Sequence, residues 1–210
     1  MKGFINDYKF NEKWFQDVEG GWDQMFDWYV NKQGREIKNV LEVGCYEGMA
    51  TIYMAEKWLK DKANYTVIDT FGGSEVESGM SKTTKGLKED DFIYNNFIHN
   101  IGFFPNITFD IKRGLSQHIL PTLQAEGKMY DFIYIDASHQ SDDTFVDAYW
   151  AHKMLNKEGI LLYDDYTWSD PTKKDDVNHA PKLGIDVFQL IYGHEYREIL
   201  SGYQLGFIKL

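Results

Sequence analysis

Residues 130–168, YDFIYIDASHQSDDTFVDAYWAHKMLNKEGILLYDDYTW, constrain the fold more than any other stretch of the chain. An apolar run at 132–135 ends on Asp136, with Ser138 and His139 close behind. Asp142, Asp143 and Thr144 then open a segment whose apolar positions, Phe145, Ala148, Tyr149, Ala151, Met154 and Leu155, recur at helical spacing. A turn at Lys157, Glu158 and Gly159 is expected to end that helix, and a second apolar run at 160–163 ends on Asp164 and Asp165. A strand, helix, strand unit of this kind carries acidic residues to the carboxyl ends of both strands. In an open α/β sheet that edge is where ligands bind.

Three carboxylates and a histidine at one edge raise one another's cost of ionisation, because like charges in a cleft repel. A divalent cation relieves that cost. Oxygen donors favour hard ions such as Mg²⁺, Ca²⁺ or Mn²⁺ over Zn²⁺, with Mg²⁺ the first expectation. The competing explanation has the aspartates capping turns and a helix end and His139 solvated. It weakens when the four residues are considered together.

Upstream, Trp22, Met25, Phe26, Tyr29 and Val30 recur at helical spacing, which predicts an amphipathic helix packed on the main fold. A strand at 39–43 leads into Gly44, Cys45, Tyr46, Glu47 and Gly48, after which Ile52, Ala55, Trp58 and Leu59 mark a helix. Two glycines four residues apart between a strand and a helix let a ligand approach the backbone closely. The next strand, 65–68, ends on Asp69, suited to accept hydrogen bonds from the ribose hydroxyls of a nucleoside cofactor. The dinucleotide pattern G-x-G-x-x-G is absent, since Tyr46 occupies the place of its second glycine. A pyrophosphate would press on that side chain, whereas a cofactor without phosphates would not.

Charge and composition narrow the partners. A formal net charge of -11 disfavours a nucleic-acid backbone as partner or substrate. Cys45 is the single cysteine, so no internal disulfide forms, which fits a reducing cytoplasmic setting. No hydrophobic run reaches membrane-spanning length and the first residues lack a signal-peptide core. Residues 72–91, rich in Gly, Ser, Thr, Lys and Glu, read as a long loop, either a lid over the cofactor edge or a surface insertion. A helix at 92–101, a strand at 107–112 and a turn holding Gly114 and Ser116 come next. Near the end, a helix marked by Ile185, Phe188 and Tyr192 precedes strands at 198–200 and 203–209 joined by Ser201 and Gly202. Strands joined by a tight turn pair antiparallel, while the helix-linked strands before them should be parallel.

Four segments in this order carry a resemblance: LEVGCYEG at 41–48, IDTFGGS at 68–74, IDASH at 135–139 and GILLYDDY at 159–166. Together they resemble the class I S-adenosylmethionine-dependent methyltransferases, and within them the branch of metal-dependent sugar O-methyltransferases of macrolide and aminocoumarin biosynthesis. The resemblance implies a Rossmann-like, seven-stranded α/β sheet, mostly parallel with an antiparallel C-terminal hairpin and helices on both faces. It implies a methyltransferase domain over 39–210 preceded by a helical extension over 1–38. It implies S-adenosylmethionine held by Gly44 and Gly48, with Glu42 and Tyr46 beside the turn, Asp69 on the ribose, Ser116 near the adenine, and Asp136. It assigns a divalent cation to Asp136, Asp164 and Asp165 and the role of general base to His139, since Ser138 stands where other members carry an acidic residue. The acceptor it implies is a hydroxyl of a small molecule, a sugar or glycoside first, with a homo-oligomer compatible. Tyr166 and Trp168 are candidates for the acceptor pocket, and His99, His118, His152, His179 and His194 are expected at the surface or locally bonded. A non-catalytic S-adenosylmethionine-binding protein and an NAD(P)-dependent enzyme are the alternatives.

Overall fold

Seven strands form one sheet: β1 (Asn39–Val43), β2 (Ala63–Asp69), β3 (Ile107–Arg113), β4 (Tyr130–Ile135), β5 (Leu155–Tyr163), β6 (Tyr196–Leu200) and β7 (Leu205–Lys209). Their order across the sheet is β3-β2-β1-β4-β5-β7-β6. The computed structural model describes residues 7–59, 62–73, 91–169, 172–173 and 176–210. The first five strands pair in parallel, and β7 runs antiparallel to both β5 and β6. The helices are α1 (Glu19–Phe26), α2 (Met49–Lys57), α3 (Phe92–Ile101), α4 (Ser116–Ala125), α5 (Ser141–Met154) and α6 (Pro181–Tyr192). The mostly parallel Rossmann-like sheet with its antiparallel terminal hairpin is the architecture expected from the sequence. Most of the 72–91 stretch lies outside the described residues, and the expectation of a lid there with it.

Strand parity divides the core between the two faces. Val40, Phe132, Tyr134, Ile160 and Leu162 pack on one face with Trp22, Phe26, Ile52, Tyr53 and Phe97. Leu41, Val43, Ile133, Ile135, Leu161 and Tyr163 pack on the other with Leu120, Ala148, Ala151, Ile185 and Phe188. Side chains on a strand alternate between faces, so continuous apolar runs such as these mark strands covered on both sides. The same parity sets Glu42, Tyr134, Asp136 and Asp164 toward the face covered by α1 and α2.

The N-terminal helix α1 is part of that cover. Trp22 is fully buried and meets the rings of Phe15 at 4.9 Å and Tyr134 at 5.0 Å, both edge to face. After Phe26 the chain continues as a π-helical turn, Asp27–Lys32, that buries Tyr29.

Several element boundaries differ from the sequence reading, two of them with structural consequences. Helix α5 passes directly into β5 at Leu155, so the expected turn at 157–159 lies inside a strand. Glu158 there takes a φ of 65°, and its carbonyl accepts the Tyr29 hydroxyl at 2.9 Å while its carboxylate pairs with Arg35. The turn chemistry was correctly placed, but it kinks β5 rather than preceding it. Strand β7 begins at Leu205 instead of 203, which leaves Tyr203 and Gln204 before the strand, where both reach toward the acidic cluster. Among the described residues no helix is long and apolar enough to cross a membrane.

Candidate active site

The chain runs outward from β1 to β3 and then returns to β4 on the other side of β1. That reversal opens a crevice at the strands' carboxyl ends. The parallel ladders continue one residue past each strand: Gly44 N donates to Ile68 O at 2.8 Å, Asp136 N to Val43 O at 2.8 Å, and Asp164 N to Ile135 O at 3.0 Å. Those three bonds draw the β1 turn and both acidic segments to one edge.

On the β1 side the backbone is tightly specified. Gly44 has a φ of 84°, and a Cβ there would stand 1.9 Å from the carbonyl oxygen of Asp136. No other residue fits between the crossing chains. Gly48 also has a φ of 84°, with a Cβ position 2.8 Å from the Phe97 ring of α3. Tyr46, between them, adopts a φ of 51° that side chains other than glycine seldom take. Its ring packs against Trp14 at 5.1 Å.

Asp69 holds this turn from β2. Its Oδ2 accepts the N–H groups of Cys45 at 2.7 Å and Tyr46 at 2.8 Å, and its Oδ1 accepts that of Phe71 at 2.6 Å. A carboxylate offers about four lone-pair sites, and three of them are filled by backbone N–H groups. Cys45 is buried in the turn as a small filler.

Two expected cofactor residues face elsewhere. Glu42 is fully buried, and its Oε2 accepts Thr51 Oγ1 at 2.6 Å and the Tyr65 hydroxyl at 2.7 Å. It pins β1 to β2 and α2, and burial pushes its carboxyl up to about 7 against the pull of those two bonds. Its place inside β1, beneath α2 and short of the strand's carboxyl end, accounts for this. Ser116, the first residue of α4, is buried beside Asp147 of α5 rather than open to the crevice.

The β4–β5 side is assembled from side chains. Asp165 takes a φ of 56°, a left-handed conformation that aspartate tolerates better than most residues, and this turns its carboxylate back toward β4. His139 Nε2 lies 2.8 Å from its Oδ2, and the Tyr203 hydroxyl donates to its Oδ1. Trp168 covers the imidazole with ring centroids 4.2 Å apart. The Tyr134 hydroxyl donates to Asp164 and lies 3.1 Å from Asp136 Oδ2, so one phenolic proton serves two carboxylates. Behind it, Trp22 Nε1 donates to Gln204 Oε1 at 2.8 Å, and Gln204 Nε2 reaches the Tyr134 oxygen at 3.3 Å.

One donor atom from each of Asp136, His139 and Asp165 lies within 4.8 Å of the other two, a group able to hold a metal ion. Asp164 stands apart from this group: its Oδ2 takes the Tyr134 hydroxyl and its Oδ1 the N–H of Asp165 at 2.7 Å. Burial raises Asp136 well above the usual carboxylate range, with the charges of Asp164 and Asp165 adding to the effect. Asp164 is pushed up to about 6, by burial first and Asp165 second. The cluster is therefore costly to ionise without a cation.

Of the two aromatic candidates, Trp168 reaches the site, whereas the Tyr166 hydroxyl donates to Asp186 of α6 at 2.9 Å on the surface. Ser138 bonds Asp143 at 2.8 Å near the start of α5. His152, expected at the surface or locally bonded, is buried and bonded, with its Nδ1 2.9 Å from the Tyr196 hydroxyl. Tyr134 was legible in principle, since it precedes Asp136 by two residues and so shares its face. Tyr203 and Gln204 carried no signal, because they reach the site from the far hairpin.

A family model described as a methyltransferase domain matches residues 41–166, more than half of the chain. The O-methyltransferase hkm8 of Aspergillus hancockii is 28% identical over 131 residues, 62% of this chain and 44% of that protein. The chain spans about half the length of the curated relatives it matches. Among solved structures, the O-methyltransferase NovP aligns with a TM-score of 0.61 at 18% identity, covering 92% of this chain and 79% of that one. An O-methyltransferase from Bacillus cereus in complex with SAH gives 0.56 at 16% identity, covering 92% and 88%. CalS11, a TDP-rhamnose 3'-O-methyltransferase of calicheamicin biosynthesis, gives 0.52 at 13% identity, covering 92% and 76%. At these identities the structural likenesses speak for the fold, and the family match speaks for the lineage. With the crevice at the β1–β4 reversal, the glycine turn and the acidic strand ends in place, the chain belongs to the methyltransferase-domain family of class I S-adenosylmethionine-dependent architecture.

Proposed function

We propose that the protein transfers a methyl group from S-adenosylmethionine to a hydroxyl oxygen of a small molecule, with a sugar or glycoside as the acceptor class. The observation that carries this reading is the convergence of Asp136, His139 and Asp165 at the crevice edge, next to the turn that crosses Asp136 at Gly44. The cofactor supplies the activated methyl, so the protein's work is to align donor and acceptor and to take a proton from the hydroxyl. The turn at 44–48 and Asp69 hold the nucleoside side. His139, steadied by Asp165 and Trp168, accepts the acceptor's proton as the oxygen–methyl bond forms. The sugar acceptor is supported by the action of CalS11 on TDP-rhamnose, as a property of that neighbour.

Two carboxylates and an imidazole fit a divalent cation, and Asp136 and Asp165 would hold it, with Asp164 behind them. When bound, such an ion lowers the pKa of an acceptor hydroxyl and fixes its orientation. Mg²⁺ suits the oxygen donors; an imidazole in the group extends the range toward Mn²⁺ and heavier first-row ions. A second reading, in which His139 is itself a third ligand, is favoured by its place in the 4.8 Å group.

The test is to incubate the protein with labelled S-adenosylmethionine, Mg²⁺ or Mn²⁺ and a library of glycosides and nucleotide sugars, and to seek products heavier by one methyl. Methylation that a chelator stops, with cofactor binding intact, supports the metal-assisted reading. Turnover in the presence of chelator would sink it. Cofactor binding without turnover on any acceptor would favour a non-catalytic binder instead.

A further inference from the structure

We propose that Glu47 is a positioning residue for the cofactor: it latches the N-terminal strap at residues 9–14 onto the turn at 44–48, so that the turn keeps its binding conformation. The proposal rests on the reading of that turn as the S-adenosylmethionine site. Glu47 sits in the turn yet is only 1% exposed. Its Oε2 accepts the backbone N–H of Asn11 at 2.6 Å, and its Oε1 accepts the side-chain amides of Asn11 at 2.6 Å and Asn96 of α3 at 2.8 Å.

Three donors converge on this one side chain. A carboxylate takes them all because it is acceptor-only, whereas an amide would set its own N–H groups against at least one of them. The latch has a second half. Asn100 of α3, fully buried, accepts Lys9 N at 2.8 Å on its Oδ1, and its Nδ2 donates to Lys9 O at 2.9 Å and to Glu47 O at 2.8 Å. Strap, turn and α3 are thereby tied at one point.

The turn needs such a tie. Gly44, Tyr46 and Gly48 all have positive φ, and Tyr46 is held there without a glycine's freedom. A residue in a sparsely populated conformation persists only where its surroundings over-determine it. Asp69 restrains the turn from the β2 side through the N–H groups of Cys45 and Tyr46. Glu47 and the Trp14 ring on Tyr46 restrain it from the opposite side. A ligand that needs the turn in this shape binds more tightly when the strap is latched, and by linkage the bound ligand steadies the strap.

The experiment compares wild type, Glu47→Gln and Asn11→Ala, the last removing one strap-side donor while leaving the turn's own sequence intact. S-adenosylhomocysteine affinity is measured by calorimetry well below each variant's Tm, and hydrogen exchange of amides at 8–16 is followed with and without that ligand. Glu47→Gln is expected to bind about tenfold more weakly or worse, and Asn11→Ala a few-fold more weakly, as expected for lost hydrogen bonds to a charged group. Ligand is expected to slow strap exchange in wild type and to lose that effect in Glu47→Gln. A purely structural Glu47 would lower Tm and leave affinity and the ligand's effect on the strap unchanged. Both variants within twofold of wild type, or strap exchange indifferent to ligand in wild type, would overturn the latch. If Glu47→Gln does not fold, Asn11→Ala and the wild-type exchange decide. A wild type that binds no S-adenosylhomocysteine removes the cofactor reading and the latch with it, whereas binding that the variants leave unchanged removes the latch alone.

Discussion

On the β1 side of the crevice, Asp69 accepts two backbone N–H groups of the turn, and glycines at 44 and 48 allow contacts that a single methyl group would block. On the β4–β5 side, Asp164 and Asp165 are held by phenols from Tyr134 and Tyr203, and His139 is braced by Trp168. The first side is fixed by main chain and the second by long side chains drawn from β4, the terminal hairpin and the segment after β5. A site held by backbone fails as a whole when one atom is added. A site held by side chains can lose one support and keep the rest, so its variants should separate binding from turnover.

The largest effect is expected at Gly44. Replacing it with alanine drives a Cβ into the Asp136 carbonyl from a positive φ, a combination of clash and strain worth about 3 kcal/mol or more. For a chain of this size that lowers Tm by roughly 6–12 °C, with cofactor binding lost in parallel. A Gly44→Ala protein that melts and binds as wild type would mean the two sides do not cross as described.

Next comes His139. Replacement by alanine should lower turnover on the order of 10²–10⁴-fold, the range for removal of a general base, with cofactor affinity unchanged. Mn²⁺ binding, followed by electron paramagnetic resonance, then separates its two roles. Retained metal binding supports the base, and lost metal binding supports the ligand. A smaller effect is expected from Tyr203→Phe, which removes one hydrogen bond to the Asp165 carboxylate. Such bonds to charged groups are worth about 1.5–3 kcal/mol, so kcat should fall roughly tenfold or more while the cofactor's Kd stays constant. A matching loss of cofactor affinity would show that the two sides are not separable.

The contrast also explains what the sequence disclosed. The glycine turn, the strands at 39–43 and 132–135, and the aspartates at strand ends were legible because each depends on local spacing and on residue types with few other uses. Position along the strand was the neglected local rule, and it separates Glu42, which lies inside β1 and points into the core, from Asp69, which ends β2 on the same face and reaches the turn. That Asp164 turns to the Tyr134 hydroxyl while Asp165 meets His139 could not be read, since it depends on Tyr134 and on the left-handed turn of Asp165. Tyr203, Gln204 and the Asn11 latch arrive from distant parts of the chain and leave no periodic trace.

The effect least visible in turnover concerns two carboxyls behind the site, one on each side of the sheet, both pushed up to about 7 chiefly by burial. Glu42 receives hydroxyl bonds from Thr51 and Tyr65. Asp147, 1% exposed, has no hydrogen-bond partner of good geometry on either oxygen, although the Ser116 hydroxyl lies beside it and opposes the rise. A raised folded-state pKa means that the native protein binds more protons than the unfolded chain. The associated stability is fully present below the unfolded value, near 4, and is lost as pH rises through about 7. Asp147→Asn removes the charge and keeps the shape, so above pH 7 the variant should be more stable than wild type by on the order of 1–4 kcal/mol. That advantage should shrink steadily as pH falls from 7 and approach zero only near pH 4, where the unfolded chain's carboxyl is protonated as well. Glu42→Gln should give a smaller gain at high pH, because two hydroxyl donors already compensate the ionised carboxylate. Denaturant midpoints across pH 4–8 measure both differences, and an Asp147→Asn advantage that does not change with pH would show that this carboxyl does not titrate in that window.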